Sequence, residues 1–160
     1  MAFNAAQVAA AEELRFLSFT SNDAFALGCN IRSRIQQKSP NKPAIVSIES
    51  AQGQPMFYST SGEGTQPDNK AWAERKRNSV LRWGKSTASL NIKFKLGIPA
   101  YFGVDEKDYA VHGGGFPIRV KGVEPIVAVA VVSGLAQEDD HQVIVDCVQA
   151  FIAEQENALQ

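Results

Sequence analysis

Three short stretches of this 160-residue chain carry side chains whose types and spacing suit chemistry. The first is Tyr109-Ala110-Val111-His112-Gly113-Gly114-Gly115. Three glycines in a row between strand-forming residues are costly in conformational entropy, so the backbone there turns sharply or approaches something closely. Such a run can also turn N–H groups toward an anion, with His112 beside it as a ligand or proton carrier. A β-bulge or a tight subunit contact accounts for the glycines equally well. The run is no dinucleotide fingerprint, since it lacks Gly-x-Gly-x-x-Gly, and no Walker-type lysine follows it.

The second stretch is Ser133-Gly134-Leu135-Ala136-Gln137-Glu138-Asp139-Asp140-His141. Acids in a first helical turn suit the helix dipole whatever the function. His141, three residues after Glu138, shares a helix face with it, and the pair could ligate a metal or form a local hydrogen bond. Di-iron bundles carry such a Glu-x-x-His pair twice with two further carboxylates, and here it comes once. Ser133, Asp139 and His141 lack a Gly-x-Ser-x-Gly elbow, which argues against a hydrolase. The third stretch is Trp72-Ala73-Glu74-Arg75-Lys76-Arg77 with Arg82, where interleaved aromatic and basic residues could meet a carboxylate, a phosphate or a porphyrin propionate. Arg77 reads as part of a solvated basic face.

Composition limits what these stretches can do. The chain has 16 Lys and Arg against 17 Asp and Glu, and 44% of its residues are hydrophobic, as expected of one soluble domain spanning 1–160. Cys29 and Cys147 stand far apart with no Cys-x-x-Cys, so a zinc finger, an iron–sulfur cluster and a disulfide scaffold are not expected, and the chain reads as cytoplasmic. The N-terminus from Met1 to Leu14 does not read as a secretory signal, and the longest apolar run, Ile126 to Val132, is too short to span a bilayer. A net charge of −1 argues against a nucleic-acid partner. The near-neutrality conceals a split. Lys70 to Lys95 holds eight basic residues and one acid, whereas Ala136 to Gln160 holds six acids and no Lys or Arg. Two solvated faces would explain the split, as would contact between the two segments.

The elements that must position these residues follow from periodicity and punctuation. A short helix is expected over 4–15. A second, capped at Thr20, Ser21 or Asn22, places Ala24, Leu27, Gly28, Ile31 and Ile35 on one face before Ser39-Pro40 stops it. Ala44 to Ile48 and Pro55 to Tyr58 form a hairpin about the turn at 51–54, and Ser59 to Pro67 is a surface loop. Asp68 caps a helix to Trp83, Gly84 breaks the pattern, and Ser86 to Leu96 continues as a separate helix. Residues 101–108 are irregular or a short edge strand. Phe116 to Val120 and the unalternating, buried Ile126 to Val132 are strands about Gly122, and a last helix spans Gln137 to Glu156. The order predicts an α+β fold: a single antiparallel sheet built from two hairpins and flanked by helices.

Lys42-Pro43 and its hairpin, the helix with Arg75-Lys76, the Gly113-Gly114-Gly115-Phe116-Pro117-Ile118 strand and Val131-Val132-Ser133-Gly134 leading into Gln137-Glu138-Asp139 resemble the haem-degrading-domain superfamily. Its members include GlcG-like and HbpS-like proteins and the C-terminal domain of some cobalamin adenosyltransferases. The chain is most similar to a branch of short bacterial and fungal proteins through Phe19-Thr20 to Gly28, Trp72 to Lys76, Arg82-Trp83-Gly84, His112-Gly113-Gly114 and Ser133 to His141. The resemblance runs from about Phe16 to Phe151. It implies a profilin-like sheet, symmetric homo-oligomers and, for some members, binding of haem or a corrinoid; their ligand residues do not map onto positions here.

The leading expectation is an oligomeric binding protein for an anionic small molecule, with haem or another tetrapyrrole the best single candidate. Its site would join His112, Gly113 and Gly114, the helix start with Glu138 and His141, and Trp72, Arg75, Lys76 and Arg82. His112 or His141 would ligate iron, and a basic side chain would meet propionates. Two rivals stand beside it. One is an enzyme using acid/base or metal-assisted chemistry at Glu138, His141 and His112, with these three as candidate metal ligands. The other is a ligand-free assembly or adaptor protein whose histidines are interface residues.

Overall fold

The computed structural model describes residues 3–95 and 97–160. Its elements, in chain order, are α1 (Ala5–Ala11), α2 (Ser21–Lys38), β1 (Ile45–Ser50), β2 (Pro55–Thr60), α3 (Pro67–Trp83), α4 (Thr87–Lys93), β3 (Gly115–Ile118), β4 (Ala128–Ser133) and α5 (Gln137–Asn157). The strands form one antiparallel sheet in the order β2-β1-β4-β3, so the two expected hairpins lie side by side, joined by the β1–β4 pair that runs from Ile45↔Ser133 to Ser50↔Ala128. All six residues of β4 are buried, as its lack of alternation requires of a central strand.

Strand alternation sends β4 side chains to two helical layers. Ala128, Ala130 and Val132 join the large core with Leu27, Ile31 and Ile35 of α2 and Ile144, Val148 and Ile152 of α5. Val129 and Val131 pack on the other side against Ala73 and Val80 of α3. At the start of α2, the Thr20 hydroxyl accepts from the Asp23 N–H (3.1 Å) and the Asp23 carboxylate accepts from the Thr20 N–H (2.8 Å), a reciprocal cap.

Several boundaries move. Helix α3 begins at Pro67 and not after an Asp68 cap. Proline suits a first helical position, and the Asn69 side chain accepts the Gln66 N–H (2.8 Å), so Asp68 lies inside the first turn. Helix α4 is shorter than expected, since Phe94 already leaves the helix, and Leu96 lies outside the described residues, as do Met1 and Ala2. The 101–108 stretch forms no strand; it starts inside a 3₁₀ turn over Ala100–Phe102, continues as irregular backbone and is held by side chains of α3. Glu12 is buried, and its carboxylate accepts from the Ser86 N–H (3.1 Å) and the Ser89 hydroxyl (3.2 Å), tying the end of α1 to the start of α4.

Candidate functional site

The acidic and basic halves meet at one buried point. Lys76 of α3 is 3% exposed and Asp140 of α5 is 2% exposed, and Lys76 Nζ lies 3.0 Å from Asp140 Oδ2. The ammonium also donates to the Val132 carbonyl (3.0 Å), and Asp140 Oδ1 accepts from the Leu135 N–H (2.9 Å). One pair therefore joins α3, the end of β4 and the first turn of α5. Burial dominates its titration: it lowers the Lys76 pKa and pushes Asp140 up to about 6, each against the opposing pull of the partner charge. This role of Asp140 is not legible in local sequence, because an acid in a first helical turn suits the helix dipole whatever it pairs with.

The pair lies behind an open recess of about 320 Å³ lined by Asn69, Trp72, Lys76, His112, Ser133, Gly134, Leu135, Gln137 and Asp140. His112 is exposed at its rim, edge-on to Trp72 with ring centroids 4.9 Å apart. Desolvation lowers its pKa, and the Lys76 and Arg75 charges lower it further, so the imidazole is neutral at pH 7 with a nitrogen lone pair to offer.

The glycines pack closely. The Gly113 N–H donates to Gln137 Oε1 (3.0 Å), and that of Gly115 to the Thr87 hydroxyl (2.9 Å), so neither amide is open to a ligand. At Gly114, with φ of +124°, a Cβ would run into the Val132 carbonyl and sit 2.8 Å from Lys76 Nζ. The close approach inferred for this run is to the fold's own backbone and to the buried ammonium.

The expected site residues divide among several places. Trp72, Lys76, His112 and the α5 start line the recess. Arg75 lies over Trp72, its guanidinium carbon 4.3 Å from the ring centroid, and donates to the Glu106 (2.8 Å) and Tyr109 (3.1 Å) carbonyls. Arg82 donates to the Phe102 carbonyl (3.2 Å) and does not line the recess. Both arginines thus pin the segment between Phe102 and Tyr109. Arg77, expected to be solvated, pairs with Glu49 (2.7 Å).

His141 goes elsewhere. It is 3% exposed, with its ring edge-on to Phe3 (5.7 Å) and near Phe116 (6.1 Å), and its Nδ1 has no hydrogen-bond partner among the described residues. With Glu138 it lines a separate groove between α1 and α5, so the two histidines do not share one concave site. Burial lowers the His141 pKa to about 4. Among the described residues, no three His, Cys, Asp or Glu side chains gather closely enough to hold a metal ion.

The profile of HbpS-like haem-degrading proteins matches residues 19–149. The chain belongs to the HbpS-like family. It is 35% identical over 147 residues to a UPF0303 protein of Psychromonas ingrahamii, covering 88% of this chain and 87% of the relative. To the UPF0303 protein YBR137W of Saccharomyces cerevisiae it is 37% identical over 145 residues, covering 89% and 81%. The crystal structure of Ybr137w superposes with a TM-score of 0.88 at 33% identity, covering 94% of this chain and 88% of that one. The fold is shared with HbpS (TM-score 0.64, 21% identity, 82% and 88% covered) and with PduOC in a crystal structure of its haem complex (0.61, 21%, 86% and 94%). Among the described residues no helix is long and apolar enough to cross a membrane.

Proposed function

We propose that this chain binds an anionic tetrapyrrole of the haem class across the mouth of the recess, with His112 as the side chain that would hold its iron. The observation that carries this reading is the exposed His112 imidazole, kept neutral at the rim by desolvation and two neighbouring cations. Neutral imidazole is the form that coordinates iron, and protonation competes with coordination. Trp72 adds an aromatic surface beside it, and the Arg75 guanidinium over that ring makes the local potential favourable to an anion. The recess lies at the small end of the roughly 300–1,000 Å³ range of drug-sized pockets, so a macrocycle would lie over it and not within it.

Family membership and the haem complex of PduOC support the choice of ligand. Bound haem would supply an iron centre, and the chain's own part is to hold and orient it. The separate His141 groove is a poorer fit, because Glu138 and Asp139 line it and would repel propionates.

Titrating haemin into the purified protein while following the Soret band tests the reading. A saturable shift is expected in the wild type and in His141→Ala, with a weakening of at least about tenfold in His112→Ala, the scale of losing one good ligand interaction. No saturable shift, or one unchanged by His112→Ala, would overturn it.

A further inference from the structure

The recess contains donors that neither the protein's own contacts nor the proposed iron ligand employs. Ser133, the last residue of β4, is 4% exposed and lines the recess on the α3 side of the sheet, and its hydroxyl makes no hydrogen bond to another described residue. Asn69 lines the same recess from α3; its side-chain oxygen accepts the Gln66 N–H (2.8 Å), while its NH2 has no partner among the described residues. Between them opens the N-terminal end of the 21-residue helix α5, whose N-cap, Ala136, makes no side-chain capping bond. A buried hydroxyl, an amide NH2 and a helix N-terminus converging on one opening favour a compact anion with planar acceptor geometry.

The acids near that helix end do not spoil the site. Glu138 lines the groove on the α1 side, and Asp139 lines that groove and another beside α2. Asp140 faces the recess, and its charge is matched by Lys76 at 3.0 Å. The side chains expected to receive carboxylates do other work: Lys76 holds Asp140, while Arg75 and Arg82 hold the 102–109 segment.

We propose that Ser133, Asn69 and the first turn of α5 form a carboxylate subsite, in which the Ser133 hydroxyl and the Asn69 amide donate to the carboxylate oxygens. The carboxylate is either the arm of a tetrapyrrole over the recess or a free small acid, and the subsite rests on the tetrapyrrole reading only in the first case.

Two probes separate the sources. Sodium propionate is titrated while the backbone amides of 133–138 are followed by ¹H–¹⁵N NMR, and metal-free protoporphyrin IX is compared with its dimethyl ester by quenching of tryptophan fluorescence. Saturable shifts with propionate assign a free acid. Protoporphyrin binding at least about tenfold tighter than its diester, without a propionate response, assigns a tetrapyrrole arm. In either case Ser133→Ala weakens the effective probe by about tenfold, the scale of one hydrogen bond to a charged group. Asn69→Asp keeps the acceptor for Gln66 and sets a like charge against the ligand, so it weakens binding at least as much while preserving the fold. No propionate response together with equal binding of protoporphyrin and its diester, or two variants that bind like the wild type, would overturn the subsite. If haemin gives no Soret shift while propionate binds and both variants weaken it, the tetrapyrrole reading falls and the subsite stands.

Discussion

Replacing Lys76 with Met keeps the length and apolar packing of the side chain but removes the charge that Asp140 faces. In the wild type the ammonium lies 3.0 Å from both Asp140 Oδ2 and the Val132 carbonyl, with both side chains almost wholly enclosed. Removing one partner of a buried pair typically costs about 3–5 kcal/mol, because the remaining charge is left uncompensated. Asp140 has an escape, which is protonation. In the wild type its pKa is about 6, and Lys76 is the largest influence holding it down, so the variant's value must be higher. At pH values between the wild-type and variant pKa, the folded variant holds a proton that the folded wild type and both unfolded chains lack. Its stability therefore rises as pH falls, while that of the wild type does not respond through this group. The slope is about 1.4 kcal/mol per pH unit, so from pH 8 to pH 6 the deficit of Lys76→Met should shrink by up to about 2.7 kcal/mol. Below about pH 6 the wild-type Asp140 protonates too, and the difference levels off. Urea unfolding of both proteins at pH 6, 7 and 8, followed by tryptophan fluorescence, measures this. A deficit below about 1 kcal/mol at pH 8, or one of the same size at all three values, would refute the account of Asp140 as a carboxylate that needs its cation.

Two further expectations rest on separate observations. Gly114→Ala sets a Cβ against the Val132 carbonyl and Lys76 Nζ at a φ of +124°, and should cost roughly 3 kcal/mol or more in urea unfolding, with a loss below about 1 kcal/mol showing that the strand can shift. His141→Leu should remove an acid sensitivity: folding lowers this pKa from the ordinary 6.5 to about 4, so the stability conferred by the neutral ring is whole above pH 6.5 and lost as pH falls toward 4, by about 3 kcal/mol. Unfolding midpoints of wild type and variant that fall in parallel between pH 7 and pH 4 would show that the ring is not the source.

The architecture was legible where local pattern and burial coincide. Ala24, Leu27, Gly28, Ile31 and Ile35 fall at helical spacing and all are buried in α2, and the unalternating Ile126 to Val132 run overlaps the central strand Ala128–Ser133, which starts two residues later and ends one later. The site was legible only in its parts. The recess does draw on His112, Trp72, Lys76 and the start of α5, yet which acid serves there depends on a contact between residues 64 apart in sequence. Helical spacing correctly gives Glu138 and His141 a shared groove. It carries no information on whether that groove is the one containing His112, because the other wall comes from Phe3 and α1 at the opposite end of the chain. Likewise the glycine run reports that something comes close, but the Val132 carbonyl and Lys76 that do so come from other elements.

The Lys76–Asp140 pair is better understood as a positioning device than as a source of stability. Burial opposes the charged form of both groups, and two apolar residues of similar volume would fill the space at least as well. What an apolar pair would lack is direction. Asp140 fixes the Leu135 N–H as β4 passes into α5, and Lys76 fixes the Val132 carbonyl, while the Val132 N–H donates to the Gly114 carbonyl (2.8 Å). Gly114 follows His112 by two residues, and the Gly113 between them is tied to Gln137 in the first turn of α5. The recess therefore holds His112, Ser133 and the helix end through one connected set of bonds with the ion pair at its centre, and a ligand that touches all three meets groups already in place.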